Sequence, residues 1–394
     1  MKQVISTEKV PIKMWLTELE DGALQQAKNI ANLPFIFKHL AIMPDSHQGY
    51  GMPIGGVLAT KGVVIPNAVG VDIGCGMCSM RTNLNSIDKS QLQSIVDLIK
   101  ERIPVGFNHQ TEKQPDWLTK EDLIILNGWS LIEKEYQNSL SQLGTLGGGN
   151  HFIEIQKDND GFVWIMVHSG SRNLGKRVAD HYNKIAERFN RLWYSEVESS
   201  KELAFLPIET QEAKNYMTEM KYCVNFAFKN RKLMMDKIQE CFAEVIPNVL
   251  FPTFNGNTIT NIAHNYARWE NHFGQNVIIH RKGATSANQN EIGIIPGSMG
   301  TKSYIVEGLG NPDSFMSCSH GAGRKMGRKQ AQRELNLEHE IFIMDNQDII
   351  HDVKTTDNLD EASGAYKDID TVMGNQNDLV KILVELKPIA VIKG

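Results

Sequence analysis

Ile42–Met80 reads IMPDSHQGYGMPIGGVLATKGVVIPNAVGVDIGCGMCSM, a series of short apolar runs broken every few residues by Gly or Pro. Such punctuation excludes a long helix and predicts short strands joined by loops. Near its end, Asp72 and Cys75 flank a glycine, so a carboxylate and a thiolate can reach one ion from a tight turn. Sulfur has several lone pairs, so the thiolate can also bridge two ions. Taken alone, the pair reads more plainly as a small buried Cys beside a turn-capping Asp.

Four histidines lie in similar Gly- or polar-rich segments. They are His151 in GTLGGGNHF, His168 in MVHSGSR, His264 in NIAHN and His320 in SCSHGAGR. Any one of them is as well explained as an ordinary core or surface histidine. Jointly, Asp72, Cys75, His151, His168 and His264 are expected to converge, because a mixed carboxylate, thiolate and imidazole set holds one or two divalent ions. The Gly147–Gly149 run suits close backbone approach to a phosphate. Arg172 carries a guanidinium fork that matches phosphate geometry. His320 is followed by Gly321 and Gly323 and precedes Arg324, Arg328 and Lys329, which share a face if RKMGRKQAQRE is helical. A histidine there is placed to take a phosphoryl group as a nucleophile. The bland alternative is a solvated charge run. The pattern as a whole points to metal-assisted chemistry on a phosphate-bearing substrate.

Pro296–Ser303 (PGSMGTKS) invites a phosphate-loop reading but fails its spacing, because Thr301 stands between Gly300 and Lys302. Cys75 and Cys78 form a C-x-x-C without the second pair that a zinc ribbon needs.

The 394 residues are 41% hydrophobic and 22% charged, ordinary for a soluble globular protein. Candidate site residues run from Asp45 to Lys393, which favours one catalytic unit over separable domains. A net charge of −5 means that any nucleic acid must be gripped by a local basic patch. Five cysteines without framework spacing, no apolar core in Met1–Glu20 and no membrane-length run together predict a cytoplasmic protein. Apolar periodicity predicts a helix over Ser86–Lys100, and Asn108–Leu118 reads as a loop. A helical insertion is expected over 175–246, its Met and aromatic stripe serving as core. Phe162–Val167, Val277–His280, Glu340–Met344 and Ile389–Ile392 read as strands. The fold class is mixed α/β (α+β).

These segments, taken together, closely resemble the RtcB family of RNA ligases. The resemblance rests on MPDSHQGYG, VGVDIGCGM, LGTLGGGNHFIE, WIMVHSGSR, AHNY, RKGATSA, GIIPGSMGTKSYIV, SCSHGAGR, AYKDID and the final KG, from PIKMW to VIKG. It implies an RtcB-like catalytic fold over 1–394. It implies GTP- and Mn²⁺-dependent joining of RNA 3′-phosphate or 2′,3′-cyclic phosphate ends to 5′-hydroxyl ends, in RNA repair or tRNA splicing. An activating protein partner stays open. Carried over, Asp72, Cys75, His151, His168 and His264 hold two Mn²⁺ ions, with Cys75 bridging, and His320 is the guanylylated nucleophile. The GTP site takes Asn150, Glu154, Asn265, Pro296, Gly297, Ser298, Met299, Ser303, Gly321, Ala322, Gly323, Tyr366 and Lys393, with Glu154 reading the guanine N–H donors. Arg172, Arg324, Arg328 and Lys329 form the expected RNA patch. The sequence departs from the family pattern at Gly327 and Ser363, where Ser and Pro are expected. Two other readings use the same residues: a two-metal phosphodiesterase or phosphatase, and a non-catalytic RNA-binding protein with a structural zinc. The donor set by itself favours Zn²⁺, whereas the resemblance points to Mn²⁺.

Overall fold

The computed structural model describes residues 1–114 and 131–394. The first third holds β1 (Gln3–Ile5), β2 (Ile12–Met14), α1 (Asp21–Ala31), β3 (Ile36–His47), β4 (Ile54–Thr60), β5 (Val63–Val64), β6 (Gly76–Arg81) and α2 (Lys89–Arg102). The middle holds α3 (Leu131–Ser139), β7 (Phe152–Asp158), β8 (Val163–Ser169), α4 (Arg172–Leu192), β9 (Leu206–Pro207) and α5 (Gln211–Val245). Then follow β10 (Thr260–Ala263), β11 (Asn265–His272), β12 (Gln275–Lys282), β13 (Ala284–Ser286), β14 (Ile292–Ile295), β15 (Ser303–Gly308) and β16 (Ser317–Ser319). The chain closes with α6 (Arg328–Glu334), α7 (Leu337–Asp345), α8 (Ile369–Gly374) and β17 (Val380–Lys393).

Two sheets carry the molecule. The first has the order β1-β2-β3-β4-β12-β11, and the second β10-β6-β8-β7-β17-β15-β14. Every pairing is antiparallel except β2 with β3. In β3, Leu40 and Ile42 pack toward Ile30 of α1, while Ala41 and Met43 pack toward Ile295 and Val306 of the second sheet. Both faces are buried, which explains why this stretch is apolar without alternation. In β8 the faces separate. Val163, Ile165 and Val167 join the core made by α2 and α5, and Trp164 and Met166 face the other way. Side chains alternate along a strand, so His168 continues the Trp164–Met166 face.

The helix expected at Ser86–Lys100 is α2, whose capping box is made by Asp88 and Gln91. Leu92, Ile95, Val96 and Ile99 are buried, each contributing about 1.5–3 kcal/mol on full burial. The region 175–246 holds most of α4 and all of α5, which Thr210 caps by accepting the Ala213 N–H. Val277–His280 lies in β12, and Ile389–Ile392 in β17. Glu340–Met344 is a correction: it belongs to helix α7, not a strand. The Asn336 side chain caps α7 on the His339 N–H, Glu338 and Glu340 favour its N-terminal turn, and only the i, i+4 pair Glu340 and Met344 is buried. The basic run is corrected too. Helix α6 begins at Arg328 with Gly327 as its N-cap, so Arg324 lies outside it. Asn108–Gln114 has neither helix nor strand, and Pro115–Leu118 lie outside the described residues. Among the described residues no helix is long and apolar enough to cross a membrane.

Candidate metal and nucleotide site

Four neighbouring strands of the second sheet end at one edge, and each delivers a candidate ligand there. Ala263 pairs with Gly76, Gly76 with Ser169, His168 with Phe152, and Phe152 with Lys393. Cys75, His151 and His264 lie one residue beyond this row, His168 lies in it, and β17 adds Lys393. The register depends on Gly76, because a Cβ there would stand 1.9 Å from the Ile262 carbonyl oxygen. Gly74 has φ +79, and a Cβ on it would come 2.9 Å from Val224 Cα.

The ligand atoms form two groups, Cys75–His168–His264 and Asp72–Cys75–His151, with the atoms of each within 4.8 Å of one another. Cys75 belongs to both. Its Sγ is 3.2 Å from His168 Nε2 and 3.5 Å from His151 Nε2, and that nitrogen is 3.2 Å from Asp72 Oδ2. Nδ1–H of His151 donates to Leu146 O at 3.0 Å, and Nδ1–H of His168 donates to Asn150 O at 2.9 Å. These carbonyls orient both rings, so that His168 Nε2 faces the thiol and His151 Nε2 stands between the thiol and the Asp72 carboxylate. His264 Nδ1 is buried without a hydrogen-bond partner. Burial, together with the neighbouring imidazoles, holds His168 and His264 well below the usual histidine range. Burial and the Asp72 carboxylate push the Cys75 thiol well above its usual range. Desolvation works to raise Asp72, but His151, Cys75 and His168 hold it low. A soft thiol, three imidazoles and one carboxylate, with one buried ring nitrogen left without a partner, fit divalent metal ions, and binding one would release the thiol proton.

Beside this cluster lies a cleft of about 500 Å³. His320 sits in its wall, 4.8 Å from the His264 ring between centroids. It follows β16, which β13 holds through the pair Ala284–Ser319. His320 Nδ1–H donates to Asp45 Oδ2 at 2.6 Å, and the backbone N–H groups of His320 and Gly321 donate to the same oxygen at 3.0 and 3.3 Å. Its Nε2 therefore keeps a free lone pair. Asp45 is fully buried.

Of the expected nucleotide residues, Asn150, Glu154, Pro296, Gly297, Ser298, Met299, Gly321, Ala322, Gly323, Tyr366 and Lys393 line the cleft. Two do not. Asn265 braces the metal loop, donating to Asp72 O at 3.0 Å and accepting from Gly283 N–H at 2.7 Å. Ser303 braces the Pro296–Met299 turn, accepting from Gly297 N–H at 3.1 Å. Thr301, the residue that breaks the phosphate-loop spacing, closes that turn by accepting from Ser298 N–H at 2.6 Å. Burial raises Glu154 to about 8, against opposing effects from Gln156 and Lys393.

The four basic residues separate. Arg172 Nε donates to Thr145 Oγ1 at 3.0 Å and Nη2 to Gly106 O at 2.9 Å. Arg324 is held by Glu361 at 3.1 Å and the Tyr366 hydroxyl at 3.2 Å. Arg172 is thereby committed inside the protein, whereas Arg324, though paired, also lines the cleft. Arg328 and Lys329 are exposed at the start of α6, and Arg328 reaches the cleft rim. Sequence reasoning counted Asp45 among the candidates without giving it a role and did not single out His47, Phe152 or Glu361; all four surround His320 and the cleft. The MPDSHQGYG segment was the available signal for the first two.

A sequence profile described as tRNA-splicing ligase RtcB matches residues 26–394. RNA-splicing ligase RtcB of Escherichia coli K12 is 39% identical, covering 100% of this chain and 99% of its own length, as is RNA-splicing ligase RtcB1 of another Escherichia coli strain. tRNA-splicing ligase RtcB of Thermococcus kodakarensis is 32% identical, covering 95% of this chain and 92% of its own. With profile and full-length relatives in agreement, this chain belongs to the RtcB family.

Proposed function

We propose that the chain is a cytoplasmic RNA ligase of RNA repair or tRNA splicing, working as one catalytic domain over 1–394 with 175–246 as a helical insertion. It joins a 3′-phosphate or 2′,3′-cyclic phosphate end to a 5′-hydroxyl end with GTP. The observation that carries this reading is the Asp45–His320 pair, whose free Nε2 faces a cleft next to two ligand groups sharing Cys75. A 3′-phosphate is a poor electrophile and needs a leaving group. His320 Nε2 attacks the α-phosphorus of GTP, the α–β bridge breaks, and pyrophosphate leaves. An oxygen of the RNA 3′-phosphate then attacks that phosphorus, the P–N bond breaks, and the guanylyl group passes to the RNA. The 5′-hydroxyl attacks the RNA 3′-phosphorus, losing its proton, and GMP leaves as the phosphodiester forms. A cyclic phosphate is first opened by water. Two Mn²⁺ ions held by Asp72, Cys75, His151, His168 and His264 would supply Lewis-acid stabilisation of attacking and leaving oxygens. Glu154 accepts the guanine N–H donors, and Lys393 stands over Phe152 beside it.

The test is transfer of label from α-labelled GTP to the protein with Mn²⁺. Acid-labile label that His320→Ala abolishes is the expected result. Label that survives His320→Ala, or appears equally from ATP, overturns the assignment. RNA end cleavage without GTP dependence would favour the phosphodiesterase reading instead.

A further inference from the structure

Asn230 and Arg231 are consecutive residues inside α5, and both are fully buried. An amide and a guanidinium side by side in a core need dedicated partners. Arg231 Nε donates to Asn261 Oδ1 at 2.8 Å, and its Nη1 donates to Gly74 O at 2.9 Å and Ser169 O at 2.8 Å. Asn230 Oδ1 accepts the backbone N–H of Gly144 at 2.8 Å and of Thr145 at 3.2 Å. Its Nδ2 donates to Thr145 O and Ser169 Oγ at 3.1 Å and to Gly170 O at 3.2 Å.

These partners have one thing in common. Gly74 precedes Cys75, and Ser169 follows His168. Asn261 lies in β10, which leads into His264. Gly144 and Thr145 open the segment that ends at His151. Ser169 Oγ–H in turn donates to Leu146 O at 2.7 Å, the same carbonyl that orients the His151 ring. Four chain segments separated in sequence are thus tied to adjacent residues of one helix. One guanidinium nitrogen bridges two carbonyls, Gly74 O in the loop that leads into β6 and Ser169 O at the end of β8. Gly74 also packs directly against the α5 backbone.

We infer that Asn230 and Arg231 are positioning residues that set the spacing of the metal-ligand segments, making α5 a structural part of the metal centre. The inference rests on the metal reading given above. A planar fork with several donors suits three fixed acceptors, and a lysine ammonium on a flexible stem does not replace it. Partners of this kind typically govern metal affinity by 10–100-fold.

Co²⁺ is the probe, read by calorimetry and by the near-ultraviolet thiolate-to-cobalt band, with far-ultraviolet circular dichroism as the folding control. Wild type should show the band, and Cys75→Ala should lose it. Arg231→Lys keeps the charge but not the fork, and should weaken Co²⁺ binding at least about tenfold and shrink the band. Asn261→Ala removes one acceptor from the less buried end of the network and covers the case in which Arg231→Lys does not fold. It should weaken Co²⁺ binding measurably and alter the band. A wild-type band with unchanged affinity and spectrum in every variant that folds overturns the inference alone. A wild-type protein without the band overturns the metal reading and the inference with it.

Discussion

Asp45 Oδ2 holds His320 at three points, through the ring Nδ1–H at 2.6 Å and two consecutive backbone N–H groups at 3.0 and 3.3 Å. One buried carboxylate oxygen therefore sets ring rotation, tautomer and loop position together. Asp45→Asn offers an amide oxygen of lower charge, or an NH₂ that cannot accept, at that point. Guanylylation should fall by roughly a hundredfold while the far-ultraviolet spectrum is kept. Initial rates of label transfer measure it, and a rate within a few-fold of wild type would remove Asp45 from the mechanism.

Glu154 gives a pH signature. With its pKa raised to about 8 by burial, it is largely protonated at neutral pH in the free protein. Guanine presents N–H donors, which need the carboxylate, so binding at pH 7 should expel a proton. GTP affinity should rise as pH goes from 6 to 8, by up to about tenfold per unit, and level off above. Calorimetry in buffers of different ionisation enthalpy would read the proton release directly. Glu154→Gln should flatten the profile; a slope that persists in that variant would point to another group. In the free protein the native state keeps a proton that the unfolded chain loses above its ordinary carboxylate pKa. The contribution of Glu154 to stability should therefore fall through the window between 4.5 and about 8.

Lys393 is fixed by strand pairing to Phe152, with its ammonium 5.8 Å from that ring's centroid and its pKa lowered by burial. Lys393→Met preserves the stem that packs there. It should lower guanylylation about tenfold or more, because a fixed cation in the nucleotide cleft is lost. Thermal melts should move by only a few degrees. Wild-type rates would return Lys393 to a packing role.

Arg328 and Lys329 are the exposed members of the expected basic patch. Changing both to Ala should weaken RNA binding and reduce the slope of log affinity against log salt by one to about two. His320 guanylylation should be nearly unchanged. Equal loss of both steps would instead assign Arg328 to the nucleotide site, whose rim it lines.

Much of the site was legible because its residues carry chemistry on their face. A thiol, a carboxylate and histidines among glycines announce themselves, and all four ligand-bearing segments do meet at one sheet edge. What escaped was support. Asp45 looks like any turn aspartate until its partner 275 residues away is seen. Asn230 and Arg231 read as the polar side of a long helix, because periodicity reports which face is apolar and not which polar group is buried. Glu340–Met344 was misjudged for a local reason: Ile-Phe-Ile favours a strand, and the Asn336 cap overrides that preference. For Arg172 and Arg324 the sequence shows a cation but not the carbonyls and carboxylates that partner it.

The shared edge of the second sheet has a consequence for the order of assembly. Cys75 is 76 residues from His151 and 93 from His168 along the chain. Closing such loops in an unfolded chain is entropically costly, so a disordered chain offers an ion no more than a local pair such as Asp72 and Cys75. Ion loading should therefore follow folding rather than guide it. Nearly all of the binding free energy then accrues to the native state, about 2.7 kcal/mol at a free ion concentration a hundredfold above Kd. A chelator should lower the melting temperature of the whole protein, not merely silence its chemistry.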